Sequence, residues 1–160
     1  MSEAIGLSAA DLTLAALFAG WAMADEVQRR IAADGMDDLR FADGFLFQHL
    51  VEGPIAIGEL GERMGVTQQA ASKSVADLER RGYVERVAGA ADGRVRHVSL
   101  TERGRAAIAA GRDHRAALEA ELAERLGPRR VEAARRLLAD AGAELGAGAA
   151  VRGRRVRPPR

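Results

Sequence analysis

The sequence predicts a mainly α fold with a small β-hairpin wing: a winged helix-turn-helix flanked by N- and C-terminal helices that serve dimerisation. Three observations predict it. Two short amphipathic patterns flank Gly65, so one helix ends and another begins within a few residues. Two alternating runs follow, Tyr83-Val84-Glu85-Arg86-Val87 and Arg94-Val95-Arg96-His97-Val98-Ser99-Leu100, joined through Ala90-Ala91-Asp92-Gly93. Long helical patterns occupy both ends of the chain.

The first helix is expected to start at Ser8, with Asp11 three residues on as a weaker form of the capping box. Its apolar stripe runs through Leu12, Ala16, Ala19, Met23, Val27 and Ile31 and stops at Gly35. Residues 38–52 read as a second helix that holds Phe41, Phe45, Phe47 and His49, with Phe41, Phe45 and His49 on one face by their spacing of four. In residues 55–66, Ile57, Leu60 and Met64 recur at helical spacing, and Gly65 supplies the left-handed end. Gly61 lies inside that helix at a cost of about 1 kcal/mol relative to Ala, which a close helix approach explains.

Thr67 stands where an N-cap hydroxyl accepts from the free N–H groups of a first turn, and no Gly or Pro interrupts the chain from there to Arg81. Ala71, Val75 and Leu78 form a buried stripe; Gln68, Gln69, Ser72, Lys73 and Ala76 fall on other faces. Gly82 caps this helix, and Gly93 gives the hairpin tip a residue that tolerates positive φ, with Arg94 at or near the apex. A further long helix from residue 101 to 126 carries Ile108, Gly111, Leu118, Leu122 and Leu126. Gly127-Pro128 then restarts the chain into a last helix with Val131, Ala134, Leu138, Ala141 and Leu145.

An exposed polar helix beside a basic hairpin tip fits adjacent grooves of a DNA duplex. The amides of Gln68 and Gln69 suit adenine, Lys73 reaches guanine or phosphate, and Ala70 meets a thymine methyl, with Thr67 and Ser72 completing the reading face. Taken alone, Gln68 and Gln69 read more readily as solvated surface; the neighbouring elements reverse that reading.

From Ile57 to Gly104 the chain resembles the MarR family of bacterial winged-helix regulators. The resemblance rests on Leu78-Glu79-Arg80-Arg81-Gly82-Tyr83-Val84, Asp92-Gly93-Arg94 and Leu100-Thr101-Glu102-Arg103-Gly104, in that order and at about the family's spacing. Gly58 and Gly61 depart from it, standing where the family usually has Ser and Ala. The resemblance implies a homodimeric transcriptional regulator, a repressor, on a pseudo-palindromic operator in double-stranded DNA. It places the two recognition helices of the dimer in successive major grooves and one wing arginine of each protomer, Arg94, in the flanking minor grooves, with Arg96 as a further DNA-binding residue of the wing and Asp92 supporting it. It also implies a small aromatic or anionic effector, for which Trp21, Phe41, Phe45 and His49 are the candidate pocket; an aromatic stripe at this spacing reads as core packing too.

The expected organisation follows. Residues 1–35 and 105–147 form the helical dimerisation region, 36–104 the winged helix-turn-helix, and 148–160 a basic, disordered tail. Five arginines in the last ten residues carry +5, leaving the rest of the chain at −4 of the formal +1. The binding face therefore depends on a local cluster, Lys73, Arg80, Arg81, Arg86, Arg94 and Arg96, and not on the average charge. With no cysteine, thiol redox sensing and thiolate metal sites are excluded. No apolar run of membrane-spanning length occurs and no signal peptide pattern opens the chain, so a cytoplasmic protein, at the nucleoid when DNA-bound, is expected. His49, His97 and His114 fall on separate elements without metal-ligand spacing, and no nucleophile elbow or phosphate loop is present. Neither an enzyme nor a metal or cofactor is expected. The alternative is a winged helix that binds protein and never touches DNA.

Overall fold

A computed structural model describes residues 10–88 and 96–146. Helix α1 (Leu12–Ala33) is capped by Asp11, whose carboxylate accepts from the Leu14 N–H at 3.0 Å. This corrects the expected start, because Asp11 is itself the extended capping residue and Ser8 lies outside the described residues. The helix ends before Gly35, at φ +88°. Of the expected stripe only Val27 and Ile31 are buried, against α5; Leu12 and Met23 are exposed.

Helix α2 (Asp43–Leu50) is shorter than the 38–52 the spacing suggests. The Asp43 carboxylate takes the Arg40 N–H at 2.8 Å and is gripped by Arg81, which holds residues 34–42 as an irregular connection and not as helix. Phe41 therefore precedes the helix. Pro54 then favours extended backbone, and Ile55–Ala56 forms a short strand, β1, where helix was expected.

Helix α3 (Ile57–Met64) ends at Gly65, φ +65°, with the Val66 N–H closing on the Gly61 carbonyl at 2.9 Å. Helix α4 (Gln68–Arg80) begins at Thr67, whose hydroxyl accepts from the Ala70 N–H at 3.1 Å. Strands β2 (Val84–Ala88) and β3 (Arg96–Leu100) pair antiparallel with Val84 opposite Leu100, and β1 adds to the other edge of β3 with Ile55 opposite Val98. The sheet order is β1-β3-β2. Residues 89–95, and with them the expected Asp92 and Arg94 of the wing, lie outside the described residues.

Helix α5 (Glu102–Leu126) starts at the Thr101 cap and runs out of the sheet; after Gly127, φ +96°, Pro128 opens α6 (Pro128–Glu144) at its first turn. The core lies where α2, α3, α4, the sheet and the start of α5 meet, around Leu46, Phe47, Leu60, Val75, Leu78, Tyr83, Val84 and Val98. Away from it, α1 packs along α5 and α5 along α6. There the cover is thin: α6 buries no residue, and Leu14, Leu17, Phe18, Trp21, Leu137 and Leu138 are all exposed. No helix among the described residues is long and apolar enough to cross a membrane.

Candidate nucleic-acid interface

Ala71, Val75 and Leu78 turn one face of α4 fully into the core, and that fixes what the opposite face shows. Thr67, Gln68, Gln69, Ala70 and Lys73 are exposed, and Ser72 and Ala76 half-buried. All but Ala70 of these line one shallow, open depression. Lys73 makes no ion pair among the described residues. The start of α4 is set by backbone proximity: a Cβ at Gly61 would stand 3.2 Å from the Val66 carbonyl oxygen and 3.4 Å from the Gln68 backbone. This is the close approach for which the sequence suggested that glycine.

The basic cluster is smaller than its residue count suggests. Arg81 is removed from it: its side chain is only 11 % exposed, lies 2.7 Å from both Asp43 and Asp77, and donates to the Asp38 carbonyl at 2.8 Å. The hydrogen bond to Asp43, working against desolvation, holds the guanidinium charged more firmly than usual, and its Nε is buried without a partner among the described residues. Arg80 also pairs with Asp77, and Arg86 lies 2.9 Å from Glu79. Burial would raise the Asp77 carboxyl, but the hydrogen bond from Arg81 and the charges of Arg81, Arg40 and Arg80 bring it below the ordinary range. Arg96 is exposed at the first position of β3, opposite Ala88.

Tyr83 joins this lock to the other elements. Its ring is wholly buried, its hydroxyl donates to Asp38 Oδ1 at 2.6 Å, and Arg103 reaches the same oxygen at 2.8 Å while lying over the ring. Burial, then the bond to the Asp38 carboxylate, pushes the phenol up to about 12, partly offset by Arg103. The end of α4, the connection before α2 and the first turn of α5 are thereby fastened to one another.

Behind the α4 layer, α1, α2, α5 and α6 border a half-open cavity of about 750 Å³. Phe41 and Phe45 line it, their rings meeting edge to face at 5.4 Å. Trp21 and His49, expected beside them, do not. Gly20, Met23, Ala24 and Val27 supply the α1 wall, which turns Trp21 outward to an edge contact with Phe18. His49 is buried with Leu46, Phe47 and Leu50; Phe41 precedes the helix, and Phe45, although one turn from His49 on α2, lines the cavity while His49 faces the core. The spacing argument also missed Arg40, Arg112 and Arg115, which line the cavity as well. On α5 the period that carries Ile108, Gly111, Leu118 and Leu122 runs past Arg112 and Arg115 too, a signal read only for its apolar members.

Comparison with known proteins gives a consistent picture. The MarR family model matches residues 39–95. Among solved structures, the YusO protein of Bacillus subtilis is 25% identical with a TM-score of 0.64, covering 82% of this chain and 90% of its own. A Mycobacterium tuberculosis MarR family protein, RV2887, solved in complex with salicylic acid, is 27% identical with a TM-score of 0.57 over 83% of this chain and 97% of its own. The transcriptional repressor CouR, solved on a 23-mer DNA duplex, is 23% identical with a TM-score of 0.63 over 89% and 99%. A sequence comparison with curated proteins finds no match.

Proposed function

We propose, for a chain whose residues 39–95 match the MarR family model, a sequence-specific DNA-binding function: a homodimeric transcriptional repressor acting on a pseudo-palindromic operator. The carrying observation is the face of α4. Its Thr67, Gln68, Gln69, Ser72 and Lys73 line an open depression, backed by a buried stripe that leaves α4 no freedom to turn. In this reading those side chains, with Ala70, meet base edges in the major groove, Arg96 adds a wing contact to DNA, and Arg94, outside the described residues, enters the minor groove with Asp92 in support. The repressor CouR, with the same fold, is bound to DNA, which supports the reading.

Residues 36–104 are the DNA-binding part, and α1, α5 and α6 supply the dimer layer. The exposed apolar residues of α1 and α6 support that assignment, since surfaces of this kind mark association. The cavity is read as the effector site for a small aromatic or anionic compound; its Phe41–Phe45 wall and the salicylate complex of RV2887 support this.

Footprinting on the DNA flanking the coding region tests the function. A protected inverted repeat is expected, with half-sites about 10 base pairs apart and an affinity that falls steeply with salt. Lys73→Ala should reduce the salt slope by about one, and Gln69→Ala should cost about 1–3 kcal/mol at one base position. A purified dimer that protects no such site refutes the proposal.

A further inference from the structure

The cavity wall and the C-terminal half of α4 meet in the same short segment. Residues 34–42 connect α1 to α2, and Leu39, Arg40 and Phe41 of that connection line the cavity. Three contacts tie the connection and the start of α2 to α4: Arg81 donates to the Asp38 carbonyl at 2.8 Å, Arg81 pairs with Asp43 at 2.7 Å, and Arg40 Nη1 lies 3.2 Å from Asp77 Oδ2. Four arginines line the cavity. Arg135 pairs with Glu132 on its own helix, and Arg112 and Arg115 of α5 make no ion pair among the described residues. Only the partner of Arg40 stands on α4.

We propose that Arg40 is the residue through which an organic anion in the cavity acts on α4. An acid group entering the cavity competes with Asp77 for the Arg40 guanidinium, and loss of that ion pair loosens the C-terminal half of α4 from the α1–α2 connection. The inference rests on the reading of the cavity as an effector site. Arg40 suits the exchange because its side chain is 66 % exposed, so changing partners costs little desolvation, whereas Arg81, buried between Asp43 and Asp77, cannot leave. Asp77 keeps Arg80 and Arg81 when Arg40 departs, so no carboxylate is stranded. Arg112 and Arg115 attract the anion from the facing wall, and the Phe41–Phe45 pair borders it.

A ligand shifts an equilibrium only by its difference in affinity for the two states. That difference is built in here: the anion gains a charge-assisted bond only when α4 has given one up.

The test uses the full chain, its operator duplex, and two probes: salicylate and its neutral amide, salicylamide. Calorimetry reads probe binding, and fluorescence anisotropy reads operator affinity. Saturating salicylate is expected to weaken wild-type operator binding about two- to fivefold, the same effect as removing the Arg40–Asp77 ion pair by mutation, and salicylamide is expected to leave it unchanged. Arg40→Gln is expected to bind salicylate still, to bind the operator about two- to fivefold more weakly without ligand, as loss of an exposed ion pair allows, and to respond little to salicylate. Arg112→Gln combined with Arg115→Gln should weaken salicylate binding yet keep the full response at saturation. An undiminished response in Arg40→Gln, or equal release by salicylamide, overturns the role of Arg40 and leaves the effector reading standing. Failure of salicylate to bind the wild type, or binding without loss of operator affinity, overturns the effector reading and the role of Arg40 together.

Discussion

A methyl group on Gly104 has nowhere to go. Built on this backbone it collides with the Tyr83 carbonyl oxygen and stands 3.0 Å from Leu100 Cδ2, while the Gly104 N–H is held by Thr101 at 3.1 Å. Gly104→Ala is therefore expected to destabilise the fold by about 1–3 kcal/mol, the usual cost of overpacking a fixed contact. Urea unfolding measures it; an unchanged midpoint would show that the first turn of α5 can slide. The sequence shows this glycine only as the fifth residue of Leu100-Thr101-Glu102-Arg103-Gly104, because its reason is the Tyr83 carbonyl, brought alongside only when the hairpin returns. Thr67 is the opposite case: its cap bond to Ala70 closes within three residues, so the sequence suffices to see it. Arg81 misleads for the same reason that Gly104 is opaque. It reads as surface charge until Asp43, on another helix, is set beside it.

Among the elements, α3 and α4 were legible because their apolar periods face one core and glycines punctuate their ends. Strand β1 was not: two residues carry no period, and their conformation comes from the β3 edge they pair with. The length of α2 was misread because a carboxylate on its first residue captures the preceding backbone, a competition that apolar spacing does not register. What joins these elements is the cluster of Tyr83, Asp38 and Arg103, and alkali tests it. Tyr83 titrates at about 12 when folded, against an ordinary value of 10.0, with burial the larger cause and the bond to Asp38 next. A folded value above the unfolded one means that the contribution is complete below pH 10 and is lost as pH rises toward 12. Unfolding midpoints across that window should fall more steeply for the wild type than for Tyr83→Phe. Parallel curves would show that the phenol does not secure this junction.

At the scale of the whole molecule, the long outer helices signal a missing partner even in sequence, and the exposed Leu14, Leu17, Phe18, Trp21, Leu137 and Leu138 give that signal a surface. Sedimentation at micromolar concentration is expected to give about twice the 17.0 kDa chain mass. Leu17→Glu with Trp21→Glu should bring it toward one chain and shift operator binding to higher concentration. A wild-type mass of one chain would refute the dimer. The cavity was only half legible. Its aromatic wall follows from composition near α2, but which face of α1 borders the cavity depends on how that helix crosses α5, and this puts Gly20 and the exposed Met23 on the cavity wall and Trp21 away from it.

The clamp at the start of α5 has a mechanical consequence. Twenty-five residues of helix form a rod about 37 Å long. Welded at one end to the sheet by Thr101 and Gly104, it works as a lever whose far end lies among the outer helices. A tilt of about five degrees there displaces the opposite tip by about 3 Å, a sizeable fraction of the rise between successive base pairs. If α4 reads DNA as proposed, modest repacking remote from it would reach the duplex as a shift of that size.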